Sequence, residues 1–265
     1  MLILGYIASI LIGISLGLIG SGGSILTVPV LVYLFSVDAV AATAYSLFIV
    51  GFTSALGSVA YLRKGLVDLR TAAVFGTPSI VAVFLTRAYL VPAIPQTVFN
   101  AGGFAMSKGM MLMVLFALLM IAASYSMIRK GKAESGEENR VRHFNYALIL
   151  MEGIVVGVLT GLVGAGGGFL IIPALVLLSG LPMKKAVGTS LLIIAAKSLI
   201  GFFGEHNLKG MDWQLLTFTT LVASVGIFVG AMLSRRIDGA RLKPAFGWFV
   251  LVMGVYIIIK ETWLR

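Results

Sequence analysis

The stretch 17-GLIGSGGSILTVP-29 decides how this chain folds. It lies in an apolar run fit to cross a bilayer, yet it holds four glycines and a proline, residues that spoil helices. It returns 144 residues later as 161-GLVGAGGGFLIIP-173. Aligned without gaps, 13–31 and 157–175 share nine of nineteen residues: Gly13/Gly157, Gly17/Gly161, Leu18/Leu162, Gly20/Gly164, Gly22/Gly166, Gly23/Gly167, Leu26/Leu170, Pro29/Pro173 and Leu31/Leu175. The register continues: 45-YSLFIVGFTSALG-57 lies over 189-TSLLIIAAKSLIG-201, with Ser46/Ser190, Leu47/Leu191, Ser54/Ser198 and Gly57/Gly201 matching. Further on, 125-YSMI-128 pairs with 256-YIII-259 at an offset of 131, so the first half carries about 13 extra residues, assigned to a Pro- and Gly-rich loop at 91–103. The chain reads as one unit written twice, a hallmark of secondary transporters.

Composition names the solvent. The 265 residues are 59% hydrophobic and 11% charged, with a mean hydropathy of +1.06. A soluble domain is about 45–50% apolar and about 25% charged. The excess means lipid. The net charge of +10 reflects loops held on the cytoplasmic side rather than nucleic acid, because no stacking aromatic pattern or basic domain accompanies it. There are no cysteines, which excludes disulfides, thiolate metal sites and cysteine nucleophiles. No Lys or Arg precedes the first apolar run, so the N-terminus reads as mature protein rather than a signal peptide.

Each half holds four apolar segments: 2–35, 43–62, 71–89 and 110–128, then 144–178, 186–204, 213–234 and 245–260. Six have the ~20-residue length of a membrane helix. The first of each half would run ~50 Å as one helix, too long for a ~30 Å hydrocarbon core. Either it crosses once with an extension, or it is a hairpin that returns to the side it entered. If each crosses once, Lys and Arg split 11 against 8 between the two sides. If each is a hairpin, fourteen gather on one side and Arg87, Lys108, Lys209, Lys260 and Arg265 remain on the other. Only the hairpin satisfies the positive-inside rule. It gives each half an odd number of crossings and inverts the halves. The predicted fold is therefore an all-α polytopic membrane protein of two inverted repeats, each a Gly-broken hairpin followed by three transmembrane helices. Repeat 1 is 1–129 with its hairpin at 2–35, the cytoplasmic linker is 130–143, and repeat 2 is 144–265 with its hairpin at 144–178. Together they form one transport domain in the inner (plasma) membrane, with both termini outside.

The glycines then form membrane-buried turns. Gly takes turn dihedrals that other residues resist, and its missing side chain lets the two tips approach. Helices restart at about Ser24 and Gly168, so free N–H groups and positive dipole ends point into the protein. Two such ends make a small-anion site. Gly20, Ser21, Gly22, Gly23 and Ser24 of the first tip line it, with Gly164, Ala165, Gly166, Gly167 and Gly168 of the second.

These residues also carry a likeness. GLIGSGGSILTVPVL and GLVGAGGGFLIIPAL, each followed by a helix with a Ser or Thr-Ser before Leu, resemble the TauE/SafE family of sulfite and sulfonate exporters. The likeness covers nearly the whole chain. It implies transport of small sulfur-containing anions such as sulfite, sulfonates or sulfoacetate. Gly188-Thr189-Ser190-Leu191 keeps the family pattern, and Ala44-Tyr45-Ser46-Leu47 departs from it. Ser46, Thr189, Ser190, Ser54 and Ser198 can donate to sulfonate oxygens, with Ser46 and Ser190 the stronger candidates. Ser and Thr hydroxyls also bond their own helix carbonyls, which is the competing account.

Lys197 is the sharpest candidate. It lies eleven residues into 186–204, at a depth where lysine is costly and faces a cavity. It attracts the anion, or it pairs with Glu152 or snorkels; the sequence leaves both open. Glu152 is a candidate proton carrier, ion partner of Lys197, or carboxylate reaching water. No cofactor is called for: His143 and His206 lack ligand spacing, and Gly20-Ser21-Gly22 has Ile25 where a dinucleotide fingerprint needs its third glycine. An enzyme would need clustered His, Asp or Glu, and only Glu152 lies well inside a membrane segment, so the chain reads as no enzyme. Its partners are a small inorganic or organic sulfur anion and the bilayer, and a homo-oligomer stays open. The rival is a passive anion channel of the same architecture.

Overall fold

In the computed structural model the described residues are 2–20, 23–101, 104–128, 146–164, 166–177, 180–205, 210–233 and 239–263. The linker 130–143 lies outside them, as do Ser21, Gly22 and Ala165 of the proposed site.

The long apolar runs are broken where the glycines fall. Helix α1 (Leu2–Ile19) stops, and α2 (Ser24–Tyr33) restarts after the elbow. The Tyr6 and Phe35 rings meet edge to face with centroids 5.3 Å apart, so both arms return to the same end. Helix α3 (Ala39–Arg63) starts at the N-cap Asp38, whose carboxylate accepts from the Val40 and Ala41 N–H groups. Asp68 caps α4 (Leu69–Leu85) in the same way. A π-helical turn (Thr86–Leu90) and a short α5 (Val91–Ala93) extend α4. The stretch 91–103, expected as a loop, instead ends that helix and enters an antiparallel hairpin of β1 (Thr97–Ala101) and β2 (Phe104–Ser107). It is a small β addition to an otherwise helical fold. Helix α6 (Lys108–Ile128) closes the first half. The second half repeats the plan with α7 (Tyr146–Val163), α8 (Gly168–Leu177), α9 (Met183–Phe203), α10 (Trp213–Leu233) and α11 (Gly239–Trp263).

Five of these stretches are long and apolar enough to cross a membrane: Ala39–Arg63, Leu69–Ala93, Lys108–Tyr125, Met183–Phe203 and Trp213–Leu233. Their outward faces carry apolar side chains such as Val81, Leu118, Val225, Phe228 and Met232, a surface suited to lipid and not to water. The fold is an all-α polytopic membrane protein with this one hairpin attached.

Glycine stripes set the packing, and each reaches across the halves. Helix α1 lies parallel to α10: a Cβ on Gly13 would fall 2.9 Å from the Gly226 Cα, and one on Gly17 would fall 2.9 Å from the Gly230 carbonyl carbon. Helix α7 lies on α4 in the same way, Gly153 against Phe75, Gly157 against Ser79 and Ala82, and Gly161 against Thr86. Both stripes have the small-xxx-small spacing that brings membrane helices into backbone contact, where dispersion rather than hydrophobicity holds them. Helices α3 and α9, equivalent in sequence, cross antiparallel. Gly51 abuts Leu199, and Gly57 faces Leu191. The largest apolar cluster draws on both halves, with Ile25, Leu47 and Phe116 beside Phe202, Leu216 and Val250.

Candidate functional site

Near the middle of the α3–α9 crossing stands Lys197, fully buried. Its Nζ donates to the Thr160 Oγ1 at 3.0 Å, and the Thr160 hydroxyl donates to the Val156 carbonyl at 2.6 Å. Among the described residues Lys197 therefore has Thr160 as its hydrogen-bond partner and not Glu152. Glu152 lies eight residues before Thr160 on α7, ~12 Å along the axis. It is half-buried, and its Oε2 has no hydrogen-bond partner among the described residues.

The second elbow wraps this lysine. Gly166 and Gly167 have φ of 63° and 60°, the left-handed region that glycine enters without strain. A Cβ on Gly167 would sit 2.9 Å from the Lys197 Nζ and against the Thr160 hydroxyl. A Cβ on Gly166 would sit 2.6 Å from Val50 and 3.5 Å from the Ser198 Oγ. Ser198 is fully buried, and its hydroxyl has no partner among the described residues. Directly after, α8 begins at Gly168, where first-turn N–H groups have no intrahelical acceptor. The Lys197 amine beside Gly167 and the Ser198 hydroxyl near Gly166 thus both border the elbow that leads into α8.

Other expected residues lie elsewhere. Gly164 (φ 79°) packs on the α3 backbone at Thr43, and the Ser46 hydroxyl donates to its carbonyl as well as to the Thr43 carbonyl at 3.1 Å. Its counterpart Gly20 (φ 78°) packs on Val187 of α9. Gly20, Gly164 and Gly166 thus approach helices of the other half, while Gly167 approaches Thr160 and Lys197 of its own. Gly23 packs on its own first arm at Ile12 and Ser15, and Ser24 is buried at the start of α2. The Ser190 hydroxyl donates to its own helix at the Val187 carbonyl, 2.8 Å away. The Thr189 hydroxyl accepts the Asp68 backbone N–H at 2.9 Å, across the halves.

Sequence reading did not single out Thr160, Arg87 or the role of Tyr45. The Tyr45 hydroxyl accepts the Asp212 N–H at 2.5 Å. Arg87, fully buried in the π-helical turn, pairs with Glu205 at 3.3 Å. Both border one end of the bundle, where a cavity of about 580 Å³ is lined by Asp38, Tyr45, Lys108, Glu205, Met211 and Glu261 among others. The available signal was the 144-residue offset, which relates Tyr45 to Thr189 and Asp68 to Asp212.

Comparison with known proteins shows the family. The family model described as "Sulfite exporter TauE/SafE" matches residues 5–257. The chain belongs to the TauE/SafE family. A probable membrane transporter protein of Xylella fastidiosa strain 9a5c is 30% identical over 260 residues, covering 95% of this chain and 92% of its own. The Bacillus subtilis probable membrane transporter protein YunE is 27% identical over 262 residues, covering 92% of each. No solved structure gives a significant match. As a TauE/SafE protein with several membrane-crossing helices, the chain is a multi-pass membrane transporter.

Proposed function

We propose that this TauE/SafE protein carries small sulfur-containing anions, such as sulfite, sulfonates or sulfoacetate, by alternating access around its two glycine elbows. The observation that carries the reading is Lys197, buried beside Gly167 and partnered by a neutral hydroxyl. A buried ammonium is costly unless a negative charge meets it. Here hydroxyls and the α8 start surround it, which favours a mobile anion. The family's printed description supports sulfite as the first candidate.

The rocking half of the proposal rests on the packing. The antiparallel α3 and α9, and the matched α1–α10 and α7–α4 contacts, support inverted halves of 1–129 and 144–265 related by a two-fold axis in the membrane plane. The positive-inside count supports an orientation with the cavity end and both termini outside and the linker 130–143 in the cytoplasm. Glu152, its Oε2 without a partner, is the residue we assign to proton coupling if a proton is carried.

The test is uptake of sulfite, sulfoacetate or taurine into proteoliposomes. The expected result is saturable uptake that Lys197→Met lowers by about 30-fold or more, the cost of truncating a buried charged partner, with unchanged elution on size exclusion. Uptake by Lys197→Met at the parent rate sinks the site. Non-saturating currents of single-channel size replace the carrier with a passive anion channel of the same architecture.

A further inference from the structure

Two hydrogen bonds tie the halves together at opposite ends of the bundle, and they are the same bond twice. Asp68 caps α4 by accepting the Thr71 N–H at 2.8 Å, and its own N–H donates to Thr189 of α9 at 2.9 Å. Asp212 accepts the Leu215 N–H at 2.9 Å, and its own N–H donates to Tyr45 of α3 at 2.5 Å. Asp68 and Asp212 are 144 residues apart, as are Tyr45 and Thr189. Each hydroxyl sits beside the elbow that comes from the other end. Ser46, next to Tyr45, holds the Gly164 carbonyl, and Val187, two residues before Thr189, presses on Gly20. Tyr45 also lines the cavity. At the far end Gly188 packs on Leu66 and Tyr61, so the α9 start and the α3–α4 connection close together.

We infer that these bonds are the two gates of the transport cycle, Tyr45–Asp212 at the cavity end and Thr189–Asp68 at the other. This rests on the alternating-access reading above. In each, a helix-capping turn from one half is held by a single neutral hydroxyl from the other. A lone hydrogen bond of this kind biases an equilibrium by roughly tenfold and is cheap to break. At the cavity end the Arg87–Glu205 pair also joins the halves, so Tyr45–Asp212 is not the only polar tie there. The two hydroxyls differ in reach, a phenol at one end and a threonine at the other, so the gates differ in strength while sharing one geometry.

The chain has no cysteine, so single reporters are clean. Ile49→Cys and Ile193→Cys are equivalent buried positions, each one turn past its gate residue towards the centre. They are labelled with a membrane-impermeant thiol reagent applied from either side. Tyr45→Phe is expected to raise labelling of the Ile49→Cys reporter from the cavity side by roughly threefold to tenfold and to lower that of Ile193→Cys from the opposite side. Thr189→Val is expected to do the reverse, and the double variant to return both rates towards the parent. If both variants raise both rates, the bonds are structural only and the inference falls. If sulfite shifts labelling in the parent while neither variant does, alternating access stands and the gates fall. If neither sulfite nor the variants move the labels, the rocking reading itself fails, and the gates with it.

Discussion

The two elbows share a plan and differ in chemistry. Both break at a glycine with φ near 80°, both lay that glycine on the other half's helix, and both restart a helix four residues on. The second elbow then turns through Gly167 at φ 60°, beside Lys197 and Thr160. In the first, the equivalent Gly23 is helical at φ −66°, the equivalent of Lys197 is Thr53, and the equivalent of Thr160 is Leu16. Thr53 spends its hydroxyl on its own helix, at the Ile49 and Val50 carbonyls. Duplication supplied the frame, and the charge was placed on one side of it. A site built this way carries one cation, which suits a small anion better than a symmetric pair of lysines would.

Four substitutions can break that contrast, beginning with the largest effect. Gly23→Ala pushes a methyl to 2.5 Å from the Ser15 Oγ and 2.8 Å from the Leu16 N of its own first arm. Backbone cannot yield there, so a loss of about 1–3 kcal/mol is expected as a lowered melting temperature in detergent; an unshifted melt would mean that the first elbow is plastic. Gly167→Ala meets the Thr160 hydroxyl and the Lys197 ammonium, both able to swing, and a positive φ costing about 1–2 kcal/mol. It is expected to lower uptake at least tenfold with a smaller change in melting. Uptake lost in step with stability would erase the distinction between the elbows. The smallest effect separates the serines. Ser46→Ala removes a bond to the Gly164 carbonyl and should cost about 1 kcal/mol. Ser190→Ala loses only a bond within its own helix and should be near neutral on the same melting curve.

How much of this could be read from the sequence follows from range. The elbow breaks, the hairpins and the restarts at Ser24 and Gly168 were legible, because glycine clusters and hydropathy act locally and the second copy confirms the register. The depth of Lys197 was legible for the same reason. Its partner was not: a buried lysine suggests the nearest carboxylate, Glu152, and the fold offers Thr160 one turn from the second elbow. Thr189 looked like a ligand group because it sits beside Ser190. Its acceptor role depends on the Asp68 backbone, and the way one half folds over the other is not written in either segment alone. The strands Thr97–Ala101 and Phe104–Ser107 carry the strand formers Thr97, Val98, Phe99 and Phe104, and were missed because the Pro and Gly residues of 91–103 read as a loop.

The glycine stripe joining α1 to α10 also sets an order of assembly. Helix α1 has its backbone partner in a helix that begins at Trp213, roughly two hundred residues later. At about 5–20 residues per second that delay lasts roughly 10–40 s. During that time α1 must lodge with lipid, the translocon or a chaperone, its glycines bare. Translation intermediates stalled before residue 213 should therefore crosslink through Ile12→Cys, which faces Ile227 of α10 in the folded protein, to the insertion machinery, and full-length chains should not. A nascent chain in which α1 is already shielded would mean that the hairpin finds another seat first.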